Sequence, residues 1–282
     1  MSAPSLNIEV ASALEAAGVL DSDLEAGAII EAAGGDRDTT LVLAQRRISG
    51  SPLALLTGRT TFLGLELVVE QGVLVPREET ELLATVGVSL VRDVVGRAGA
   101  ARAVDIGCGA GNLACAVASA VPRSEVFAAD IAAAAVSLTR CNAERLGLEA
   151  RVHVFEGDLF EAFAGLGLEG TVDVVVCNPP YISTGRLSRD RAILLEHEPR
   201  EAFDAGPFGI SIQQRVIRDA PVFLKPGGWL ALEVGAGQAR YAETMFARAG
   251  AYDPVLVAAD REGEPRVVYG RAVDSEPAEV DI

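Results

Sequence analysis

The sequence predicts a doubly wound α/β fold with a mostly parallel sheet, on three observations. From about residue 100 onward, short β-branched runs alternate with helical ones through glycine turns, the rhythm of a sheet flanked by helices. The run Val172–Cys177 is nearly all apolar, as a strand covered on both faces should be. Asp105 and Asp130 fall at the ends of two successive predicted strands, at the edge where such sheets bind ligands.

The elements follow in chain order. Residues 5–50 read as short helices separated by Gly18, Gly34-Gly35 and Gly50. Val10, Leu14, Leu20, Leu24 and Ile29-Ile30 recur at roughly helical spacing, with Asp21 or Ser22 as N-cap. Between 59 and 75, Thr60, Phe62, Leu65, Leu67 and Val69 alternate around Gly64, which predicts a β-hairpin. Pro76 is expected to open a helix whose first turn, Arg77–Glu81, is acidic, as the helix dipole favours. Strands are expected at 103–106, 126–129, 152–155, 172–177 and 229–234, with closing strands at 255–258 and 266–269. Helices are expected at 113–120, 132–146, 210–223 and 239–249. The expected organisation is a helical N-terminal domain (1–57), a hairpin linker (58–75), a sheet domain (76–272) and an acidic tail (273–282).

Composition narrows the function. Forty acidic against 24 basic residues give a net charge of -16, which argues against a partner bound by neutralising phosphates. Cys108, Cys115, Cys141 and Cys177 show no C-x-x-C spacing and there are two histidines, so no metal site is expected. Unframed cysteines fit a reducing compartment. The N-terminus carries no basic-then-apolar leader, and no stretch of 18 apolar residues occurs. The expectation is a cytoplasmic protein without a membrane span.

The first predicted strand runs into Asp105-Ile106-Gly107-Cys108-Gly109-Ala110-Gly111-Asn112 and then a helix. Glycines let the backbone turn sharply and approach a ligand, while the helix amides bind polar groups. Asp130, 23 residues beyond Gly107, is placed to accept from a ribose diol; its plain alternative is a cap on the following helix. A nicotinamide dinucleotide is the rival ligand, weakened because the third glycine falls at Gly111, one residue early for that fingerprint. Asp158-Leu159 follows the third strand, where a carboxylate could accept from an adenine amino group.

The strand 172–177 ends in Asn178-Pro179-Pro180-Tyr181. Consecutive prolines fix φ and carry no amide hydrogen, so the carbonyls there are presented without a competing donor. The two hydrogens of a planar –NH2 group could go one to the Asn178 side-chain oxygen and one to the Pro179 carbonyl. Such a nitrogen is a poor nucleophile because its lone pair is delocalised, and holding both hydrogens aims it at an electrophilic carbon. Tyr181 can pack its face against the planar group.

With these motifs in hand, the chain resembles the HemK/PrmC-type N5-glutamine methyltransferases. The likeness runs through Arg46-Arg47, Gly50-Ser51-Pro52-Leu53, Phe62-Leu63-Gly64, Val73–Glu81, the glycine turn, Asn142-Ala143, Asn178–Ile182, Glu198–Asp204 and Glu233-Val234-Gly235. It implies a Rossmann-like class I methyltransferase fold and S-adenosyl-L-methionine as cofactor. By the resemblance Gly107, Cys108, Gly109, Ala110, Gly111, Asp130, Asp158, Leu159 and Asn178 contact the cofactor. Asn178, Pro179, Pro180 and Tyr181 hold the substrate, the glutamine side chain in the Gly-Gly-Gln loop of a peptide-chain release factor. Arg77 and Glu79 would lie over the cofactor. A small-molecule acceptor on the same scaffold is the alternative, and an exocyclic base amine a further one. The chain departs from the family pattern at Glu78, where a second proline is usual, and at Leu159, where an aromatic is common. His153 and His197 are expected as packed or solvated residues, and Cys177 as a small buried one.

Overall fold

The computed structural model describes residues 3–180 and 210–273. Helices α1 (Ala3–Ala16), α2 (Ser22–Ala32), α3 (Arg37–Ile48) and the short α4 (Leu53–Thr57) open the chain. They enclose a separate apolar cluster built on Val10, Leu14, Ala26, Ile29 and Ala44. The expected anchors divide: Val10, Leu14 and Ile29 are buried, whereas Leu20 and Leu24 are 97% and 77% exposed. Leu20 lies in the turn before α2, and for Leu24 the reason is helical phase. The inward stripe of α2 is Ala26, Ile29 and Ile30, and a residue two places before Ala26 faces the opposite side. Asp21 holds the N-cap position of α2 without a capping bond from its side chain; on α3, Asp36 accepts from Thr39 N at 2.9 Å. Arg47 clamps Glu25 at 2.6 and 3.1 Å, tying α3 to α2.

Strands β1 (Arg59–Phe62) and β2 (Leu65–Val68) form the expected hairpin, Phe62 opposite Leu65. Leu63 and Gly64 both have positive φ, 46° and 77°, the two-residue turn whose twist matches a hairpin. Pro76 does not open a helix directly. Val73 and Val75 are buried at alternate positions, which keeps the segment extended through Arg77 (φ -100°, ψ 147°). A 3₁₀ turn, Glu78–Thr80, then leads into α5 (Glu81–Ala98).

The main sheet contains β3 (Ala101–Ile106), β4 (Ser124–Asp130), β5 (Val152–Glu156), β6 (Val172–Cys177), β7 (Leu224–Glu233), β8 (Tyr252–Ala259) and β9 (Pro265–Ala272). Their order is β5-β4-β3-β6-β7-β9-β8. All neighbours are parallel except β9, which runs antiparallel to both β7 and β8. The remaining helices are α6 (Asn112–Ala120), α7 (Ala133–Arg145), α8 (Ser211–Phe223) and α9 (Ala239–Ala249). Every residue of β6 is buried, and its side chains alternate between two cores. Val174 and Val176 meet α5 and α6 through Leu83, Val91 and Leu113. Val175 and Cys177 meet α8 and α9 through Val216 and Phe246. A Cβ added at Gly87 would lie 2.9 Å from Val176 Cγ1, so this glycine lets α5 settle onto the strand that carries Asn178.

Chain order reverses between β3–β4–β5 on one side and β6 on the other. The crevice at such a switch is where a doubly wound sheet binds its ligand. Among the described residues no helix is long and apolar enough to cross a membrane.

Candidate active site

The glycine turn leaves β3 beneath the end of β4. Gly107 N and Cys108 N donate to Ala129 O at 2.8 and 3.0 Å, and Gly111 N to Cys108 O at 2.7 Å. Gly107, Gly109 and Gly111 have φ of 73°, 55° and 79°, a region side chains with a Cβ rarely adopt. At Gly107 and Gly109 an added Cβ would meet nothing within 4 Å, whereas at Gly111 it would strike Thr139 at 2.8 Å. The first two glycines therefore leave room for a ligand, and the third lets α7 pack against the turn. Cys108 is 3% exposed, and burial pushes its thiol well above the ordinary range; only its backbone can face a ligand.

Gly107–Ala110 line one hollow together with Pro76, Arg77, Thr80 and Asn178. The glycine turn and Asn178, the first residue of the Asn-Pro-Pro-Tyr string, are thus brought to a single place. Asp130 ends β4 beside it. Its carboxylate accepts from Gly109 N and Ala132 N, both at 2.9 Å, so it shapes the glycine turn and the turn that enters α7, which itself carries no side-chain cap. Each oxygen keeps a lone pair for a diol. Glu79 is exposed and does not line the hollow. Asp158 lies on the adjoining loop and is held by Arg215 at 2.8 Å. Leu159 follows in a left-handed conformation (φ 52°), which costs a branched aliphatic residue about 1 kcal/mol. Pro179 and Pro180 are described; Tyr181, His197 and Glu198–Asp204 lie outside the described residues. His153 sits on β5, half-buried, 3.2 Å from Glu125.

Four residues that stand in the sequence motifs without an assigned site role have one in the structure. Asp105 is fully buried; its Oδ2 accepts from Ala114 N at 3.0 Å, and its Oδ1 has no partner. Burial, with a smaller contribution from Asp130, raises its pKa to about 7. Asn142 is buried on α7 and joins two segments: its Oδ1 accepts from Val68 N at 2.8 Å, while its Nδ2 donates to Val68 O at 3.0 Å and Ala110 O at 2.9 Å. Thr80 Oγ1 lies 3.0 Å from Asn178 Nδ2. Glu233, next to Asn178 at the end of β7, is 2% exposed, and burial raises its pKa to about 7.

The two open glycines and the Asp130 carboxylate beside them fit a nucleoside ligand that brings hydroxyl donors. Comparison with known proteins decides among such ligands. Residues 86–196 match the family model for the methyltransferase small domain. A release factor glutamine methyltransferase of Geobacter sulfurreducens is 40% identical over 81% of this chain and 76% of its own. Proteins of the same name from Moorella thermoacetica and Gloeobacter violaceus are each 37% identical, over 78% and 82% of this chain and 75% and 79% of theirs. The chain belongs to the release factor glutamine methyltransferase family.

Solved structures agree on the fold. The hMettl16 catalytic domain superposes with a TM-score of 0.57, at 16% identity, over 84% of this chain and 83% of that one. A methyltransferase from Pyrococcus furiosus gives 0.52, at 17% identity, over 75% and 90%. The class I methyltransferase fold is thereby established.

In this glutamine methyltransferase family member the string Val73–Glu81 has separable duties. Pro76, Arg77 and Thr80 line the hollow, while Glu81 Oε1 accepts from Leu63 N at 2.8 Å, holding the hairpin. Asn142 binds that hairpin to the glycine turn. Asn142→Ala strands two Val68 groups and the Ala110 carbonyl. Buried unpaired groups cost about 1–3 kcal/mol each, so urea denaturation should show a loss of about 3 kcal/mol.

Asp105 sets a pH dependence. Its folded pKa is about 7 against 3.8 in the unfolded chain, so in that window the folded state holds a proton that the unfolded state has lost. The resulting stabilisation is present below 3.8 and disappears as pH rises through about 7. Asp105→Asn removes the charged form. Denaturation at about pH 5.5 and pH 8 should show the wild-type protein losing stability on going up, with the variant losing about 2 kcal/mol less.

Proposed function

We propose that this protein transfers a methyl group from S-adenosyl-L-methionine to the side-chain amide nitrogen of glutamine in the Gly-Gly-Gln loop of a peptide-chain release factor. One observation carries it: Asn178, at the head of the Asn-Pro-Pro-Tyr motif, lines the same hollow as Gly107–Ala110.

The bound cofactor supplies an electrophilic methyl carbon on a positively charged sulfur. Gly107 and Gly109 would give it backbone approach, Asp130 would accept from its ribose hydroxyls, and Asp158 and Leu159 would lie toward its base. Asp158 keeps a free oxygen for the adenine amino group while Arg215 fixes its orientation. Asn178 Oδ1 and the Pro179 carbonyl each take one hydrogen of the substrate –NH2. That grip turns the nitrogen out of conjugation and toward the methyl carbon, and fixed geometry of this kind can supply several kcal/mol of the barrier. Transfer of the methyl to that nitrogen would leave the cofactor as its neutral thioether, and the nitrogen's extra proton would pass to solvent afterwards, so no strong base would be needed. No helix of the described residues suits a membrane, and a cytoplasmic site of action fits a translation factor as partner.

The test is transfer of labelled methyl to purified, unmethylated release factor. Label on the loop glutamine supports the proposal. Tight cofactor binding without transfer would move the acceptor to a small molecule.

A further inference from the structure

At the edge of the sheet opposite the glycine turn, the amino ends of the five parallel strands leave an open hollow of about 630 Å³. Four cations line it, Arg102, Arg123, Arg151 and Lys225, against two carboxylates, Glu125 and Asp173. In a chain of net charge -16 this is a local reversal of sign. Both carboxylates are already engaged. Asp173 accepts from Lys225 Nζ at 2.7 Å and from the Arg102 backbone N at 2.8 Å. Glu125 lies 3.3 Å from Arg102 Nε and 3.2 Å from His153 Nε2. The other two guanidinium groups have no carboxylate partner among the described residues. Arg151 Nη1 donates to Ala118 O at 2.6 Å and reaches the carbonyls of Val121 and Ser124 at 3.5 Å. Arg123 Nη1 reaches Gly99 O at 3.4 Å. These contacts satisfy carbonyls at the ends of α5 and α6, and each uses one nitrogen of a three-nitrogen fork. Nε and Nη2 of both arginines still carry hydrogens to donate.

The lining narrows the ligand. Only alanine, glycine and proline supply its apolar wall, and no aromatic ring among the described residues faces it to stack on a base. Guanidinium forks take phosphoryl oxygens two at a time, and a lysine adds a point charge. The cations stand at the entries of β5 and β4 and on β3 and β7, strands spaced about 4.8 Å apart. That spread exceeds one phosphate and matches several in a chain. The volume suits a small molecule. We propose that this hollow is a second ligand site, for an anion of linked phosphoryl groups, either a free oligophosphate or a nucleoside triphosphate. Arg123 and Arg151 grip its oxygens through Nε and Nη2, and Lys225 adds its charge at the other end. The length of β3, about 20 Å, separates it from the cofactor hollow, and it is independent of the methyl acceptor.

The test is calorimetric titration of the full chain with tripolyphosphate and, separately, with adenosine triphosphate, both free of divalent metal. Tripolyphosphate should bind saturably, and saturating S-adenosylhomocysteine should leave its affinity unchanged. Arg102 and Arg123 are exposed, so the double variant Arg102→Gln/Arg123→Gln should keep the wild-type melting temperature and methyl transfer. Its affinity for tripolyphosphate should fall about 10- to 100-fold. Arg151→Lys keeps the charge but loses the fork, and should weaken binding about 10-fold. Equal affinity for the two probes would mean that the phosphoryl chain alone is read, and tighter binding of adenosine triphosphate that a nucleoside triphosphate is the source; either upholds the site. No binding of tripolyphosphate even at millimolar concentration would overturn the proposal. So would wild-type affinity in both folded variants, or displacement by S-adenosylhomocysteine. Citrate bound as tightly as tripolyphosphate would overturn the assignment to phosphoryl groups.

Discussion

Asn178→Ala is expected to reduce methyl transfer to release factor by at least about 10³-fold in kcat, a loss of about 4 kcal/mol from the transition state. The side chain offers the acceptor that the delocalised nitrogen needs, and the Pro179 carbonyl alone cannot hold two hydrogens. Cofactor affinity should fall only modestly, because the glycine turn and Asp130 remain. Binding by calorimetry beside single-turnover kinetics separates the two effects. Transfer at the wild-type rate would remove Asn178 from the chemistry. Loss of binding equal to the loss of rate would make it a cofactor contact only.

The second large effect is at Asp130. Its carboxylate accepts from Gly109 N and Ala132 N, and in the proposed complex also from the ribose hydroxyls. Asp130→Ala removes the ligand contacts and releases the turn that presents Gly109. Hydrogen bonds to a charged group are worth about 1.5–3 kcal/mol each, so S-adenosylmethionine binding should weaken by about 10²–10⁴-fold. Asp130→Asn keeps an acceptor for one backbone amide and should fall between the two. An unchanged Kd in Asp130→Ala would leave Asp130 as a brace for the two turns at Gly109 and Ala132 and nothing more.

These expectations draw on residues that differ in how openly the sequence displays them. Gly107, Asp130 and Asn178 were legible because each stands at a strand end within a short, chemically specific string, and the doubly wound order brings strand ends together. The part of Thr80 was not, because it depends on pairing across the fold: Thr80 meets Asn178 at a separation of 98 residues. Asn142 is similar. Family likeness flagged it, but its bonds to Val68 span 74 residues, and no local pattern announces them. Asp158 was seen as a free acceptor; Arg215, 57 residues away, claims one of its oxygens. Leu20 and Leu24 failed for the opposite reason. Helical spacing over so short a stretch fits more than one face, and packing of Ala26 and Ile29 selects the phase of α2.

In the proposed complex two carbonyls, of the Asn178 side chain and the Pro179 backbone, grip the two hydrogens of one glutamine amide. Once methylated, that nitrogen keeps a single hydrogen and can no longer satisfy both. The most direct measurement is the mass of the loop peptide after exhaustive reaction of release factor with excess cofactor. The account predicts a gain of one methyl group on the Gly-Gly-Gln glutamine and no second one. A dimethylated glutamine, or methyl found on any other residue while this glutamine stays unmodified, would contradict it.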